Sequence, residues 1–360
     1  MSRLEDRLIA QCERGADVPL PEEDFAELAL EVFRYQYERC APYRALCRLR
    51  GASPANVPDW RDIPAVHTDV FKAGSATVFS TVPPAERRLC YRTTGTTRGP
   101  AGRGEIRLPD TRLYDASLLS HFAARVLSGD APLRLLIVGP TAERFPQSSL
   151  GHMLTRVRER FGAPGSGVFW SEKGLQTGCL IAALNRAEEE GVPVGILGTT
   201  GALRLFLDDA VEHGLRWSLA PGSRLMDTGG DKGAATPLPR ALLLRRYEAT
   251  FDIAPAQVVN EYGMTELASQ FYAGPEGVMQ PPPWVRTLVL DAETLRPAAP
   301  GEPGLLRHYD LANLHTVMAI QTDDVGIRRA GGFELLGRAP GAPPRGCSLA
   351  VEALRRSERS

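Results

Sequence analysis

LQTGCLIAALNRAEEEGVPVGILGTTGALRLFLDDAVEH, residues 175–213, holds the alternation that decides the fold. Residues 175–190 read as a helix that leads through Gly191 into the short apolar strand Val194-Gly195-Ile196-Leu197, and residues 202–213 are helical again. The same alternation extends in both directions. Upstream, a helix over 111–127 precedes the strand Arg134-Leu135-Leu136-Ile137-Val138, and another helix covers 149–161. Downstream, a helix over 240–251 feeds the short strand Gln257-Val258-Val259-Asn260. Short strands separated by whole helices cannot pair as hairpins, so they call for crossover connections and a largely parallel sheet. Leu288-Val289-Leu290 and Leu305-Leu306-Arg307, between Gly/Pro-rich spacers, suggest a small antiparallel patch. Near the start, Phe25, Leu28, Ala29, Val32 and Phe33 recur at helical spacing and predict a helix over 21–50, followed by a loop-rich stretch marked by Pro54, Pro58 and Pro64. The expected class is α/β.

At 360 residues, 43% of them hydrophobic, the chain can bury a real core in one large α/β domain or two ordinary ones. A net charge of −1 gives no footprint for nucleic acid. Lys72, Lys173 and Lys232 are the only lysines, which leaves few for any catalytic role. Cys12, Cys40, Cys47, Cys90, Cys179 and Cys347 are scattered without metal-site or disulfide spacing. Acidic residues in 1–18 argue against a signal peptide, and no apolar run approaches the roughly 18–20 residues of a membrane span. A reduced, cytoplasmic protein is expected.

Two motifs carry chemistry. Residues 91–104 hold four Thr, four Gly and three Arg. Glycines let backbone amides approach an anion closely, threonine hydroxyls add donors, and arginine supplies fixed charge, which together suit a triphosphate. A polar surface loop has the same composition, and no Walker A triplet is present. The second motif, Asn260-Glu261-Tyr262-Gly263-Met264-Thr265-Glu266, follows an expected strand and is expected to open a helix.

In this order the two motifs resemble the adenylate-forming superfamily of acyl-CoA synthetases, luciferases and peptide-synthetase adenylation domains. Gln321-Thr322-Asp323-Asp324-Val325-Gly326 with Leu336-Gly337-Arg338 looks like that superfamily's Thr-Gly-Asp and Gly-Arg segments, and Asp227–Gly233 like its Gly-rich adenine-side loop. The ending from Leu336 to Ala350, with residues 313–326 and 227–233, is similar to the acyl-protein synthetase (LuxE) family of bacterial fatty-acid reductase systems.

The resemblance implies an adenylate-forming fold and an ATP- and Mg²⁺-dependent ligase that activates a carboxylic acid, here a fatty acid, as its acyl adenylate. It implies that Thr93, Thr94, Gly95, Thr96 and Thr97 cradle the β- and γ-phosphates and that Thr265 bonds the α-phosphate. Glu266 would hold Mg²⁺, Tyr262 would lie against adenine, and Gly229 and Gly230 would line its pocket. Asp324 would take the ribose hydroxyls, with Arg338 close by. Cys347 would receive the acyl group as a thioester, for a partner such as an acyl reductase. The expected division is a helical segment at 1–60, an adenylation core at 61–335 and a tail at 336–360 bearing Cys347.

Two departures stand out. Arg98 interrupts the phosphate loop where the pattern has glycine, and the full C-terminal lid domain with its catalytic lysine is expected to be absent. Arg98, Arg103 and Lys232 are the candidates to replace that lysine. Alternatives are transfer of the acyl group to coenzyme A, a carrier protein or an amine, and a non-catalytic nucleotide-binding subunit.

Overall fold

The computed structural model describes residues 3–72, 79–93, 104–127, 132–229 and 238–339. They form two compact units. One takes the described residues up to 124 with 264–271 and 278–339; the other takes 125–263 with 272–277.

The second unit is built on a parallel sheet. Its strands Gly167–Val168, Arg134–Val138, Val194–Thr199, Arg224–Thr228 and Val258–Tyr262 lie side by side in that order, each pairing parallel with the next. Val194–Thr199 is buried along its whole length, as a central strand covered on both faces must be. The helices Ser149–Phe161 and Arg240–Phe251 occupy the expected residues, and Thr177–Glu190 stops at Gly191, which adopts φ 62°. Phe206 stacks on Trp217 at 5.7 Å and on Phe251 at 6.0 Å in a core that also takes Leu136, Ile196 and Leu225. Each such side chain stabilises the unit by about 1.5–3 kcal/mol through its burial.

The first unit holds an antiparallel sheet in the order Val278–Met279, Gly332–Arg338, Ala319–Arg329, Pro303–Asp310, Val285–Leu290. Val66–His67 adds a short parallel strand against Ile320 and Gln321. The expected small patch is therefore a six-stranded sheet. Charged residues in mid-strand, Asp323 and Asp324 above all, and register shifts at Leu305/Arg307 and Val325/Gly326 interrupt the apolar alternation by which strands are read.

The helix expected over 21–50 divides into Glu22–Arg39 and Ala41–Leu49 around an extended Cys40. Pro42 explains the break: it lacks an N–H and fits only the first turn of a helix. A further helix, Arg3–Glu13, precedes them. Phe25 meets Trp60 edge-on at 5.3 Å, and Trp60 meets Tyr309 at 4.8 Å. The buried Gln36 side chain donates to Asn313 O at 2.8 Å and accepts from Met318 N at 3.1 Å, joining helix to sheet through backbone groups. No helix among the described residues is long and apolar enough to cross a membrane.

Candidate active site

In the second unit the carboxyl ends of three parallel strands are level. Thr199 pairs with Thr228, and Thr228 with Glu261. The chain leaves the sheet through Thr200, Gly229 and Tyr262, the place where open α/β sheets take ligands. Thr199 caps the helix Thr200–Glu212 by accepting from Ala202 N at 3.2 Å. The Thr200 hydroxyl donates to Gly229 O at 2.8 Å and fixes the turn, while Gly229 takes φ 76°, a conformation that favours glycine.

A polar network stiffens these ends from below. Asp227 is wholly buried, and Arg240 forms an ion pair with it. Asp227 also accepts from Tyr247 OH at 3.1 Å and Asn260 Nδ2 at 2.8 Å. A carboxylate so placed is tolerable only when paired and fully hydrogen-bonded.

The Thr228 hydroxyl bonds the buried Glu261 carboxyl. Burial pushes Glu261 up to about 7, with the Thr228 hydrogen bond pulling the other way. A carboxyl raised in the folded state stabilises fully below its unfolded value of 4.5, and that contribution is lost as pH climbs through about 7. The urea midpoint of the wild-type chain should therefore fall more between about pH 5 and pH 7 than that of Glu261→Gln. Parallel falls in the two proteins would exclude Glu261 as the source.

In the first unit, residues 264–270 form a turn where a helix was expected after Tyr262. The reason lies far along the chain. Asp310 accepts from Ala268 N at 3.1 Å, Ser269 N at 2.8 Å and Ser269 Oγ at 2.8 Å, and Asn313 Oδ1 accepts from Ala268 N at 2.8 Å. Amides so engaged do not join a helical ladder. Burial raises Asp310 to about 6 against these hydrogen bonds. Asn313 Nδ2 donates to Glu266 O at 2.9 Å, so the backbone at Glu266 is held while its carboxylate is only 1% exposed.

Asp324 and Arg338 face each other across neighbouring strands, with Arg338 Nε 3.3 Å from Asp324 Oδ1. Thr93 and Gly104 pinch the base of the threonine-rich loop. Thr93 N donates to Gly104 O at 2.7 Å, and Gly104 N donates to Thr93 Oγ1 at 2.7 Å, at the end of the hairpin Leu89–Arg92/Glu105–Leu108. Thr94, Gly95, Thr96, Thr97, Arg98, Arg103, Gly230, Lys232 and Cys347 lie outside the described residues.

Within single units, then, the structure pairs Thr228 with Glu261, the residues just before Gly229 and Tyr262, and sets Asp324 beside Arg338. The supporting groups Asp227, Arg240, Tyr247, Asp310 and Asn313 had no assigned role in the sequence. A faint signal existed for Asp227 and Asn313, which sit inside stretches already singled out.

A family model described as acyl-protein synthetase, LuxE, matches residues 171–354. Two relatives are named long-chain-fatty-acid–luciferin-component ligase. The one from Vibrio harveyi is 23% identical over 337 residues, covering 91% of this chain and 86% of that protein. The one from Aliivibrio fischeri is 24% identical over 305 residues, covering 84% and 78%. A solved 2-hydroxyisobutyryl-CoA ligase, in complex with 2-HIB-AMP, matches with a TM-score of 0.63 at 16% identity, over 89% of this chain and 69% of its own. At that identity the likeness speaks to the fold alone, which the chain shares with this ligase.

Proposed function

The chain belongs to the acyl-protein synthetase (LuxE) family, and from that premise we propose that it activates a long-chain fatty acid as acyl-AMP and then takes the acyl group on Cys347. In the first step a carboxylate oxygen of the acid attacks the α-phosphorus of ATP. The bond to the bridging oxygen breaks, and pyrophosphate leaves with that electron pair. In the second step the Cys347 thiolate attacks the acyl carbon, AMP leaves, and a thioester remains for delivery to a partner protein such as an acyl reductase.

The observation that carries this reading is the levelling of Thr199, Thr228 and Glu261 at the carboxyl ends of neighbouring parallel strands, each followed directly by Thr200, Gly229 or Tyr262. Tyr262 and Gly229, with Gly230, would receive adenine. Asp324 would accept from the ribose hydroxyls, with Arg338 beside it. Thr93 to Thr97 would hold the β- and γ-phosphates and Thr265 the α-phosphate. Arg98, Arg103 or Lys232 would add positive charge. Magnesium fits the donor set: Glu266 offers a buried hard-oxygen ligand, and this ion is usually bound by one or two carboxylates together with substrate phosphates. When bound it supplies charge neutralisation to the triphosphate.

The test is incubation with ATP, magnesium and a chain-length series of fatty acids. Acid-dependent ATP–pyrophosphate exchange is expected, with a covalent acyl adduct that neutral hydroxylamine releases. Exchange without an adduct, relieved by added coenzyme A, would move the acceptor to a diffusible thiol.

A further inference from the structure

Asp323 stands where the Thr-Gly-Asp pattern has glycine, so two carboxylates follow one another in the strand Ala319–Arg329. Adjacent like charges must be held apart or neutralised, and two donors do this. His67 Nε2 lies 2.9 Å from Asp323 Oδ1, and Arg338 Nη2 lies 2.5 Å from Asp323 Oδ2. The same guanidinium forms an ion pair with Asp324, Nε lying 3.3 Å from Oδ1 without hydrogen-bond geometry, and both Nε and Nη1 are buried with no hydrogen-bond partner among the described residues. Arg338 therefore sits as a fork between the two carboxylates, its side chain only 7% exposed.

The bonding fixes the His67 tautomer. The Asp69 backbone N–H donates to Nδ1 at 3.2 Å, so Nδ1 presents its lone pair and Nε2 carries the proton given to Asp323. Nε2 thus faces Asp323 and Nδ1 the Asp69 amide, with Asp69 Oδ2 3.6 Å from the same Nδ1. The same point weighs against a cation site, although ligand atoms of His67, Asp69 and Asp323 lie within 4.8 Å of one another. A metal would have to displace that proton or the Asp69 amide, beside an arginine already paired with Asp323. His67 arrives on the short strand Val66–His67, which runs parallel to Ile320-Gln321.

We propose that His67 is a positioning residue for the nucleotide ribose: by holding Asp323 it sets Arg338, and Arg338 sets Asp324 for the ribose diol. This rests on the reading of Asp324 as the ribose partner. Without His67, Asp323 loses one of its two donors and draws the Arg338 fork away from Asp324.

The test is calorimetric binding of ATP and of 2′,3′-dideoxy-ATP to the full chain. His67→Ala should weaken ATP by roughly tenfold, the weight of one hydrogen bond to a charged group, and the dideoxy nucleotide by less than about twofold. His67→Gln, whose amide donates from near the Nε2 position, should restore ATP to within about threefold. In an Asp323→Gly background, His67→Ala should change ATP affinity by less than about twofold, since the group it acts through is gone. Equal weakening of both nucleotides by His67→Ala, or no weakening of either, would overturn the proposal. Asp324→Ala separates it from its premise. If that variant still discriminates ATP from the dideoxy form, the ribose reading of Asp324 falls; if it does not and His67→Ala does, only the role of His67 falls.

Discussion

Glu266→Gln is expected to slow acid-dependent ATP–pyrophosphate exchange by about 100-fold or more, the scale of losing a preorganised electrostatic group. Its thermal midpoint should stay within a few degrees of wild type, a change of about 1 kcal/mol or less. The two halves of this expectation come from different parts of the same residue. The turn at 264–270 is held through backbone groups: Asn313 grips the Glu266 carbonyl, and Asp310 takes the amides of Ala268 and Ser269. Glutamine keeps the backbone and the volume, and the bonds that hold the turn are made by backbone groups, so the turn survives. What disappears is one negative charge at a position only 1% exposed. Adenylation brings a carboxylate against a triphosphate, so the group proposed to anchor magnesium should matter to the rate and little to the fold. A large loss of stability with a small loss of exchange would make Glu266 a structural residue.

Cys347→Ala is expected to abolish the hydroxylamine-sensitive acyl adduct while leaving exchange within about threefold of wild type, because adenylation precedes thiol attack. Cys347 lies outside the described residues, so its candidacy rests on the matching tail, with Cys12, Cys40, Cys47 and Cys90 disfavoured by burial. Cys12, Cys40 and Cys47 are fully buried, and burial raises each of them, Cys47 to about 11. A thiol at that value is almost never thiolate near neutrality. Cys90 is half-buried beside Glu105, and its thiol is raised by burial first and by that carboxylate second. Cys179 is exposed and serves as the control: Cys179→Ala should keep the full adduct. An adduct that persists in Cys347→Ala would remove the covalent step from this residue, whatever happens to exchange.

Much of the second unit was legible because its signals are local. The helices at 149–161 and 240–251 and the strand at 134–138 follow from continuous apolar patterns and punctuation by glycine and proline. The first unit was less legible because its order comes from partners remote in sequence. The turn after Gly263 reads as a helix start until Asp310 and Asn313, more than forty residues away, claim its amides. The antiparallel sheet was under-read because Asp323 and Asp324 break its alternation. The break at Cys40 was visible in Pro42 but was overridden by the strong helical spacing before it. Of the proposed site, the motifs pointed to Tyr262, Glu266 and Asp324. The groups that hold them did not announce themselves, since a buried Asp227 gains meaning only from Arg240, Tyr247 and Asn260, and His67 only from Asp323, 256 residues on.

The central claim is that this chain makes an acyl adenylate, and the most direct test is ATP–pyrophosphate exchange by the purified protein with and without a long-chain fatty acid. Radiolabelled pyrophosphate should enter ATP only when acid and magnesium are present, and this exchange should be lost in Glu266→Gln. No exchange with any acid of the series, in a protein that binds ATP and unfolds cooperatively, would contradict it.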